Sequence, residues 1–217
     1  MPCTLPASLA DAAVCRGSFH AVLGGEAGEA VFADFSAALQ KAQVEGRILT
    51  ASLFRYENHL FFYAEGLNRP FTPQGLCPAL DAALLPWPPA LGEAAPRPWA
   101  AMQPYFYHDV PTTAADWQQG RCPQRRRGRI ALLPPDSWCS YMEHHLRIVT
   151  EGLVEGDRWH LICVQEGVLF SYLEEPRTNV NIKHRPGAHS PELDAWIAAD
   201  PESHFARFTP EQKAHPD

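Results

Sequence analysis

The sequence reads LFFYAE at residues 60–65 and repeats the pattern as LFSYLE at residues 169–174. A Glu-Gly pair precedes each copy, at 45–46 and at 151–152, and the interval in the second copy is three residues longer. A similarity at matching offsets over a stretch of this length indicates an internal repeat. Glu followed by Gly also favours a helix end with the glycine in the left-handed conformation. The sequence therefore predicts that one unit was duplicated within a single chain.

Both copies predict the same order of helices and strands. Apolar residues three and four apart predict a helix before each Glu-Gly pair, around Phe35 in the first copy and Tyr141 in the second. Strands are predicted before these helices at 18–23 and 129–133, second helices at 78–85 and 191–199, and last strands at 105–110 and 204–208. The order strand–helix–strand–strand–helix–strand is that of the ferredoxin-like fold, so the predicted class is α+β.

A single ferredoxin-like unit has helices on one face of its sheet, so its other face needs a partner. We therefore expect two ferredoxin-like βαββαβ repeats packed sheet to sheet as a fused dimeric α/β-barrel. The predicted boundaries are a first repeat at 17–108, a linker at 109–128 and a second repeat at 129–208. A basic stretch at 121–129 is expected to be a solvated or tethering segment.

Composition restricts the class of protein. The chain has 217 residues, of which 46% are hydrophobic and 20% charged, as in ordinary globular proteins. A net charge of −7 argues against nucleic-acid binding, and the apolar runs are shorter than a membrane span needs. The N-terminus lacks the pattern of a signal peptide, and the six cysteines form no C-x-x-C pair. We therefore expect reduced thiols and a cytoplasmic location.

The best group of candidate residues is Tyr141, His145 and Glu151 in the second copy, with Tyr141 and His145 as catalytic candidates and Glu151 as a substrate-binding one. Tyr141 and His145 are four residues apart, so they share one face of the predicted helix. An imidazole gives and takes protons near neutral pH, and a nearby tyrosine hydroxyl donates to a sugar or carbonyl oxygen. The first copy has Phe35 and Leu39 at the matching positions, which predicts one working site per chain. The alternative is an amphipathic helix whose Tyr and His are packed and hydrogen-bonded.

Five further residues of the second copy are candidates for substrate binding. They are His160, Tyr172, Glu174, Trp138 and Trp196. His160 lies in a strand pattern, and polar side chains inside a barrel commonly bind a small ligand. Tyr172 and Glu174 end the repeated motif, where the acid is either a barrel-lining group or an edge charge. The two tryptophans could stack on a sugar, although ordinary core packing is the alternative for each.

Common cofactor and metal motifs are missing from the sequence. It contains no G-x-G-x-x-G, no P-loop, no G-x-S-x-G and no H-E-x-x-H. His144 and His145 are adjacent, whereas two histidine ligands on a helix are usually four residues apart. We therefore expect no cofactor and no obligatory metal.

The second copy resembles the L-rhamnose mutarotase family of dimeric α/β-barrels. The resemblance rests on Leu133-Pro134, on Tyr141-x-x-x-His145 with Glu151 six residues further, and on the motif at 169–174. It covers residues 129–208 well and 17–108 faintly. Single-copy relatives carry an adjacent Trp pair before the last helix, whereas this chain has only Trp196 there.

The resemblance implies a cofactor-free isomerase that interconverts the anomers of a free sugar, with Tyr141 and His145 as the acid–base pair. The expected partner is then a small-molecule substrate, a monosaccharide, with no nucleic acid and no membrane. Because family members dimerise to complete the barrel, the chain is expected to be a monomer with a fused barrel or a homodimer. Two alternatives stay open: a dimeric-barrel monooxygenase or haem-handling protein, and a non-catalytic small-ligand-binding protein.

Overall fold

A computed structural model describes residues 6–152, 154–177, 183–184, 186–200 and 204–206. The described residues are helices, strands and connecting loops, and the strands that pair are antiparallel, so the fold is α+β. Within these ranges, no helix has both the length and the apolar composition needed to cross a lipid bilayer.

The described chain divides into two compact units. The first contains residues up to Met102 together with Pro111–Cys122, and the second contains Gln103–Val110 together with residues from Pro123 onward. The segment predicted as a linker at 109–128 is therefore divided between the units. Its larger part belongs to the first unit.

The first unit has one antiparallel sheet. Its elements are β1 (Val14–Val22), α1 (Glu29–Val44), β2 (Ile48–Tyr56), β3 (His59–Leu67), α2 (Pro78–Ala82), the start of β4 (Ala100–Phe106) and α3 (Ala114–Gln118). The strand order is β2-β3-β1-β4, in which Ser18, Phe19 and His20 of β1 face residues 100–102 of β4. Phe35 of α1 and Leu80 of α2 pack on Phe62 and Trp99 in the core of this unit. Apolar side chains thus fill the space between its helices and its sheet.

The second unit repeats much of this arrangement. Its elements are the end of β4, β5 (Arg125–Leu132), α4 (Trp138–Glu151), β6 (Val154–Glu155), β7 (Leu161–Gln165), β8 (Val168–Glu175), β9 (Lys183–His184) and α5 (Pro191–Ala198). The strand order is β4-β7-β8-β5, and β6 pairs separately with β9. Leu132, at the end of β5, forms a single bridge to Ala206. The core contains Tyr141, Ile148, Leu193 and Trp196.

Local conformation follows the repeated sequence closely. Gly46 and Gly152 follow the main helices with φ angles of 68° and 66°, which confirms the predicted helix ends. Glu57 and Glu166, the first residues of the two hairpin turns, also have positive φ, at 53° and 49°. Ser190 caps α5 by accepting a hydrogen bond from the Leu193 amide, as predicted.

The last strands differ from prediction. Strand β4 begins at Ala100, whereas the sequence predicts a strand at 105–110. The strand begins with two alanines, which carry little of the β-branched and aromatic signal used to recognise strands. The predicted strand at 204–208 is represented by the bridge at Ala206, and residues 207–208 lie outside the described residues.

Candidate functional site

Helix α4 carries the two predicted acid–base residues on its buried face. Tyr141, His145 and Ile148 are the buried residues of the helix, spaced four and three residues apart so that they form one stripe. Tyr141 and His145 are each 4% exposed, and their ring centroids are 4.3 Å apart. The structure therefore brings these two side chains together, as the spacing predicts.

His145 is enclosed by aromatic rings. The ring centroids of Phe106 and Trp196 lie 4.8 and 4.7 Å from that of its imidazole. Its Nδ1 is 2.9 Å from the main-chain oxygen of Tyr141, so an Nδ1–H donates to that carbonyl. Burial lowers the pKa of His145 to about 4, although the bond to the Tyr141 carbonyl raises it. The imidazole is therefore neutral at pH 7 and supports the Tyr141 turn of the helix.

A cavity of about 130 Å³ lies in the second unit beside Tyr141. Its polar lining residues are Arg129, Tyr141, His160, Ser171 and Arg177, and the remaining described lining residues are aliphatic. Among the described lining residues there is no His145 and no carboxylate. This volume is enough for several water molecules or one small polar ligand.

The floor of the cavity is one row of residues across three strands. Arg129 of β5 lies opposite Ser171 of β8, and Ser171 lies opposite Ile162 of β7. Residues two apart along a strand share a face, so this row lies on the same face as Leu169, which packs in the core beneath α4. A cation and a hydroxyl therefore occupy the sheet face that the helix covers.

The first unit fills the same row with apolar side chains. Phe19 of β1 lies opposite Phe62 of β3, and Phe62 lies opposite Leu53 of β2. Phe35 of α1 packs on Phe62 with ring centroids 5.7 Å apart. A wider groove of about 410 Å³ lies along α1 and β2, and its lining contains neither His nor Tyr among the described residues. Strand register thus makes Phe19 and Phe62 the counterparts of Arg129 and Ser171.

Asp157 holds two of the lining residues in place. Its main-chain oxygen accepts from the His160 amide at 3.2 Å, just before β7 begins. Its Oδ2 accepts from Nε of Arg177 at 3.4 Å, and its Oδ1 accepts from the Trp159 amide at 3.3 Å. The carboxylate is buried, so these bonds fix the His160 turn and the Arg177 side chain against one another.

Tyr172 and Glu174 lie on the opposite face of the sheet from Ser171. The Tyr172 hydroxyl donates to Oε1 of Glu174 at 2.5 Å, and Nε of Arg126 lies 3.4 Å from the same oxygen. Because alternate residues of a strand point to opposite faces, these two predicted substrate-binding residues do not face the cavity. They form a buried pair with a neighbouring guanidinium.

The first unit has a more extensive version of the same pair. The Tyr63 hydroxyl donates to Oε1 of Glu65 at 2.6 Å, and Trp117 Nε1 donates to that oxygen at 3.0 Å. Arg121 binds both carboxylate oxygens, at 2.7 and 3.0 Å. Although burial opposes ionisation, the Arg121 guanidinium holds the pKa of Glu65 below its usual value. The repeated Tyr-x-Glu motif is therefore a structural network that ties Pro111–Cys122 to the first sheet.

Three predicted substrate-binding residues have other contacts. Glu151 ends α4 and accepts a hydrogen bond from the Ser190 hydroxyl, so it joins the end of α4 to the start of α5. Trp138 packs against the core at the start of α4. Trp196 of α5 packs edge-on against Tyr141, with ring centroids 5.3 Å apart. All three lie outside the described lining of the cavity.

Arg129, Ser171 and Arg177 were missed by reasoning from the sequence. Arg129 ends the basic stretch at 121–129, which the sequence predicts to be solvated or tethering because charged runs usually are. The repeat contained a signal for Arg129. When the first strands of the two copies are aligned as well as the helices, Arg129 lies at the position of Phe19. Nothing comparable marks Arg177, because its position depends on the Asp157 contact made in the folded chain.

In the described ranges, no group of three or more His, Cys, Asp or Glu side chains is arranged to hold a metal ion. Comparison with known proteins found no family model, no curated protein and no solved structure that matches the chain. The functional argument therefore depends on the geometry of the second unit and on the residues of its cavity.

Proposed function

We propose that the second unit binds a small sugar-like molecule in its cavity and interconverts the anomers of that molecule without a cofactor. One observation carries the proposal: polar side chains line a cavity at positions that the first unit fills with core phenylalanines. Ligand cavities orient a small molecule with a few polar side chains set among apolar ones, and the lining of this cavity has that composition. The sequence resemblance to mutarotases supplies the class of reaction.

We further infer that both units are ferredoxin-like repeats. The order β2-β3-β1-β4 in the first unit, with one helix between β1 and β2 and another between β3 and β4, supports this inference. In the second unit, β7-β8-β5 follows the same order, and the bridge from Leu132 to Ala206 occupies the place of the fourth strand. Sheet-to-sheet packing as a fused barrel stays a prediction.

Tyr141 and His160 are the groups proposed to move protons. His160 accepts the proton of the anomeric hydroxyl while the Tyr141 hydroxyl donates to the ring oxygen. The bond between the anomeric carbon and the ring oxygen then breaks and gives the open-chain aldehyde. Rotation presents the other face of the carbonyl. As the ring closes, Tyr141 takes its proton back from the attacking hydroxyl and His160 returns its proton to the carbonyl oxygen. Atoms and charge balance without a redox partner.

His145 is proposed to act as a positioning residue in this scheme. It donates to the main chain of Tyr141, and its neutral ring packs against the Tyr141 ring. Its assignment as the acid–base partner of Tyr141 stays a prediction from the sequence resemblance. Proton transfer by His160 is favoured because His160 is a lining residue of the cavity.

Saturation-transfer NMR on a panel of free monosaccharides tests the proposal, because it measures the anomer exchange rate directly. Wild-type protein is expected to accelerate exchange of at least one sugar. Tyr141→Phe and His160→Gln are each expected to reduce that acceleration by about 100-fold, as for loss of one acid or base. Tyr172→Phe is the matched control, since that hydroxyl lies on the other sheet face and donates to Glu174. Unchanged exchange in both cavity variants would contradict the assignment.

A non-catalytic ligand-binding protein is the second candidate. The observation that favours it is the burial of His145 with a pKa of about 4, which removes one of the two predicted proton carriers from the cavity. Calorimetry that detects sugar binding, together with NMR that detects no faster exchange, would select this candidate. A haem group is larger than a cavity of about 130 Å³, so this site does not favour a haem-handling protein, and a dimeric-barrel monooxygenase stays an alternative from the sequence.

A further inference from the structure

A groove in the first unit lies between α1 and β2. Its volume is about 410 Å³, and its lining includes Phe32 and Leu39 of α1 and Leu53 of β2. These three apolar side chains are partly exposed, and Arg55, near the end of β2, is exposed. We propose that this groove binds an extended peptide segment of a partner protein, which carries aromatic side chains and a nearby carboxylate. The proposal concerns the first unit and does not depend on the function proposed for the second.

The second unit shows what kind of segment covers the equivalent space. Strand β7 is the counterpart of β2, because the repeated hairpin motif aligns Ile162 with Leu53. The end of β4 pairs antiparallel with β7, with Phe106 opposite Ile162. Tyr105 and Phe106 lie against His145 of α4, with ring centroids 5.7 and 4.8 Å from that of the imidazole. An extended strand with two aromatic residues therefore covers the space between α4 and β7.

Burial differs between the residues beneath that strand and their counterparts in the first unit. His145 and Ile162 are 4% and 6% exposed, whereas Leu39 and Leu53, at the equivalent positions, are partly exposed. Large apolar side chains that stay exposed side by side in a groove are typical of a binding surface. A peptide laid along β2 would bury Leu39 and Leu53 as the end of β4 buries His145 and Ile162.

Strand β2 has the position and the composition for pairing with an added strand. It is the terminal strand in the described order β2-β3-β1-β4 of the first unit. Extended peptides commonly bind by adding a strand to such an edge. Natural edge strands are often protected by charged side chains, and β5, the last strand of the second unit, has four arginines among its eight residues. Arg55 is the single charged residue among the nine of β2.

The register of β4 on β7 predicts which peptide residue meets Arg55. Gln103 of β4 lies opposite Val164 of β7, and Val164 is the counterpart of Arg55 in the aligned hairpins. Arg55 is held at this end of β2, because its Nε donates to the main-chain oxygen of Glu57 at 2.7 Å. Opposite charges on directly facing residues of two strands attract one another. A carboxylate at the position of Gln103 would therefore favour binding.

Fluorescence anisotropy with two labelled synthetic peptides tests the proposal on the full-length protein. Both peptides have the sequence of residues 102–109, and one of them carries Gln103→Glu. Both are expected to bind, and the Glu peptide is expected to bind up to about fivefold more tightly, the effect of a surface ion pair. Arg55→Glu in the protein is expected to reverse this preference. If neither peptide binds, the inference is overturned.

Ser36→Trp obstructs the groove without removing a core side chain, because Ser36 is an exposed residue of α1 that lines it. This variant is expected to weaken binding of both peptides by about tenfold or more. Val44→Trp is the matched control, since Val44 is 89% exposed on the same helix and lies outside the described lining. It is expected to bind both peptides as wild type does. Wild-type affinity in Ser36→Trp would show that the peptides bind elsewhere and would overturn the inference.

Amide hydrogen exchange distinguishes binding in the groove from replacement of the chain's own β4. The bound peptide is expected to slow exchange in β2, because it adds main-chain hydrogen bonds there, and to leave exchange in β7 unchanged. Slower exchange in β7 alone, or in neither strand, would contradict the assignment. Sedimentation velocity without peptide tests a second copy of the chain as the occupant. Concentration-dependent association that Ser36→Trp removes would assign the groove to self-association and overturn the partner peptide.

Discussion

The main helices of the two units cover sheet faces of opposite character. Helix α1 places Phe35 over the row Phe19–Phe62–Leu53, whereas α4 places Tyr141 over the row Arg129–Ser171–Ile162. Backbone register is the same in both units, so the difference lies in the side chains alone. In the first unit these positions belong to the apolar core. In the second unit the equivalent positions line a polar cavity.

On the opposite face of each sheet, the first unit has the more extensive polar contacts. Both units keep the buried Tyr-x-Glu pair, but Arg121 binds Glu65 at 2.7 and 3.0 Å, whereas Nε of Arg126 lies 3.4 Å from Glu174. The repeated motif therefore has a structural role in both units, and the difference between helix-covered faces is the one that bears on function.

The largest effect is expected from Glu65→Gln in the first unit. Arg121 is only 2% exposed, so Glu65→Gln removes the carboxylate charge that binds both of its terminal nitrogens in a buried site. The free energy of unfolding is expected to fall by about 3–5 kcal/mol, as for other broken buried pairs. Urea unfolding measures this change. Glu174→Gln is the matched variant, and it is expected to lose less because Arg126 is 38% exposed. Equal losses would show that the two networks are equivalent.

The next largest effect is expected in the pH dependence of stability, to which His145 contributes. Its folded-state pKa of about 4 lies below the ordinary value of 6.5, so between these values the unfolded chain binds a proton that the folded chain does not. The contribution of His145 is therefore present above pH 6.5 and is lost as pH falls toward 4, by up to roughly 3 kcal/mol. His145→Leu, which installs the counterpart residue Leu39, is expected to remove this part of the pH dependence.

Urea unfolding at several pH values compares wild type with His145→Leu. Replacement of the exposed His189 by Ala is the control. It is expected to leave the pH dependence of stability as in wild type. A parallel loss of stability in wild type and His145→Leu as pH falls would contradict the prediction.

A smaller effect is expected from exchanging the aromatic residues at the helix centres. Phe35→Tyr introduces a hydroxyl into an apolar core, and the free energy of unfolding is expected to fall by about 1–2 kcal/mol. Tyr141→Phe is expected to change stability by less than about 1 kcal/mol, because Tyr141 borders a cavity and the change keeps its packed ring. Thermal unfolding of both variants measures this difference. A larger loss of unfolding free energy in Tyr141→Phe than in Phe35→Tyr would contradict this prediction.

The smallest effect is expected at the glycines that end the main helices. Gly46→Ala and Gly152→Ala each place a side chain in the left-handed region, which is unfavourable by about 1 kcal/mol. A Cβ at Gly46 would also lie 2.8 Å from a methyl carbon of Leu9, whereas no atom of the described residues would lie within 4 Å of a Cβ at Gly152. Chemical unfolding should therefore rank Gly46→Ala as slightly more destabilising. The reverse ranking would contradict this reading of the helix ends.

Much of the secondary structure could be predicted from the sequence. The motif at residues 60–65 and 169–174 correctly identified two hairpins, and the Glu-Gly pairs identified two helix ends with glycine at positive φ. The four-residue spacing of Tyr141 and His145 placed both on the buried face of α4. These features depend on local periodicity and turn chemistry, which a sequence displays directly.

The composition of the cavity could not be predicted in the same way. Arg129 and Ser171 are 42 positions apart in the chain and meet only because β5 and β8 pair in one register. The spacing from Tyr141 favours His145 over His160 for proton transfer, yet His160 is a described lining residue of the cavity and His145 is not. Tyr172 and Glu174 were separated from the cavity by the alternation of side chains along β8.

The sequence by itself determined the α+β composition, the repeated helix and hairpin, and the contrast between Tyr141 and Phe35. Only the tertiary structure decided that His145 is packed among aromatic rings while Arg129, His160 and Arg177 surround a cavity. The physical reason is that local patterns fix which face of an element is buried, whereas strand register and long-range contacts fix what each buried side chain meets.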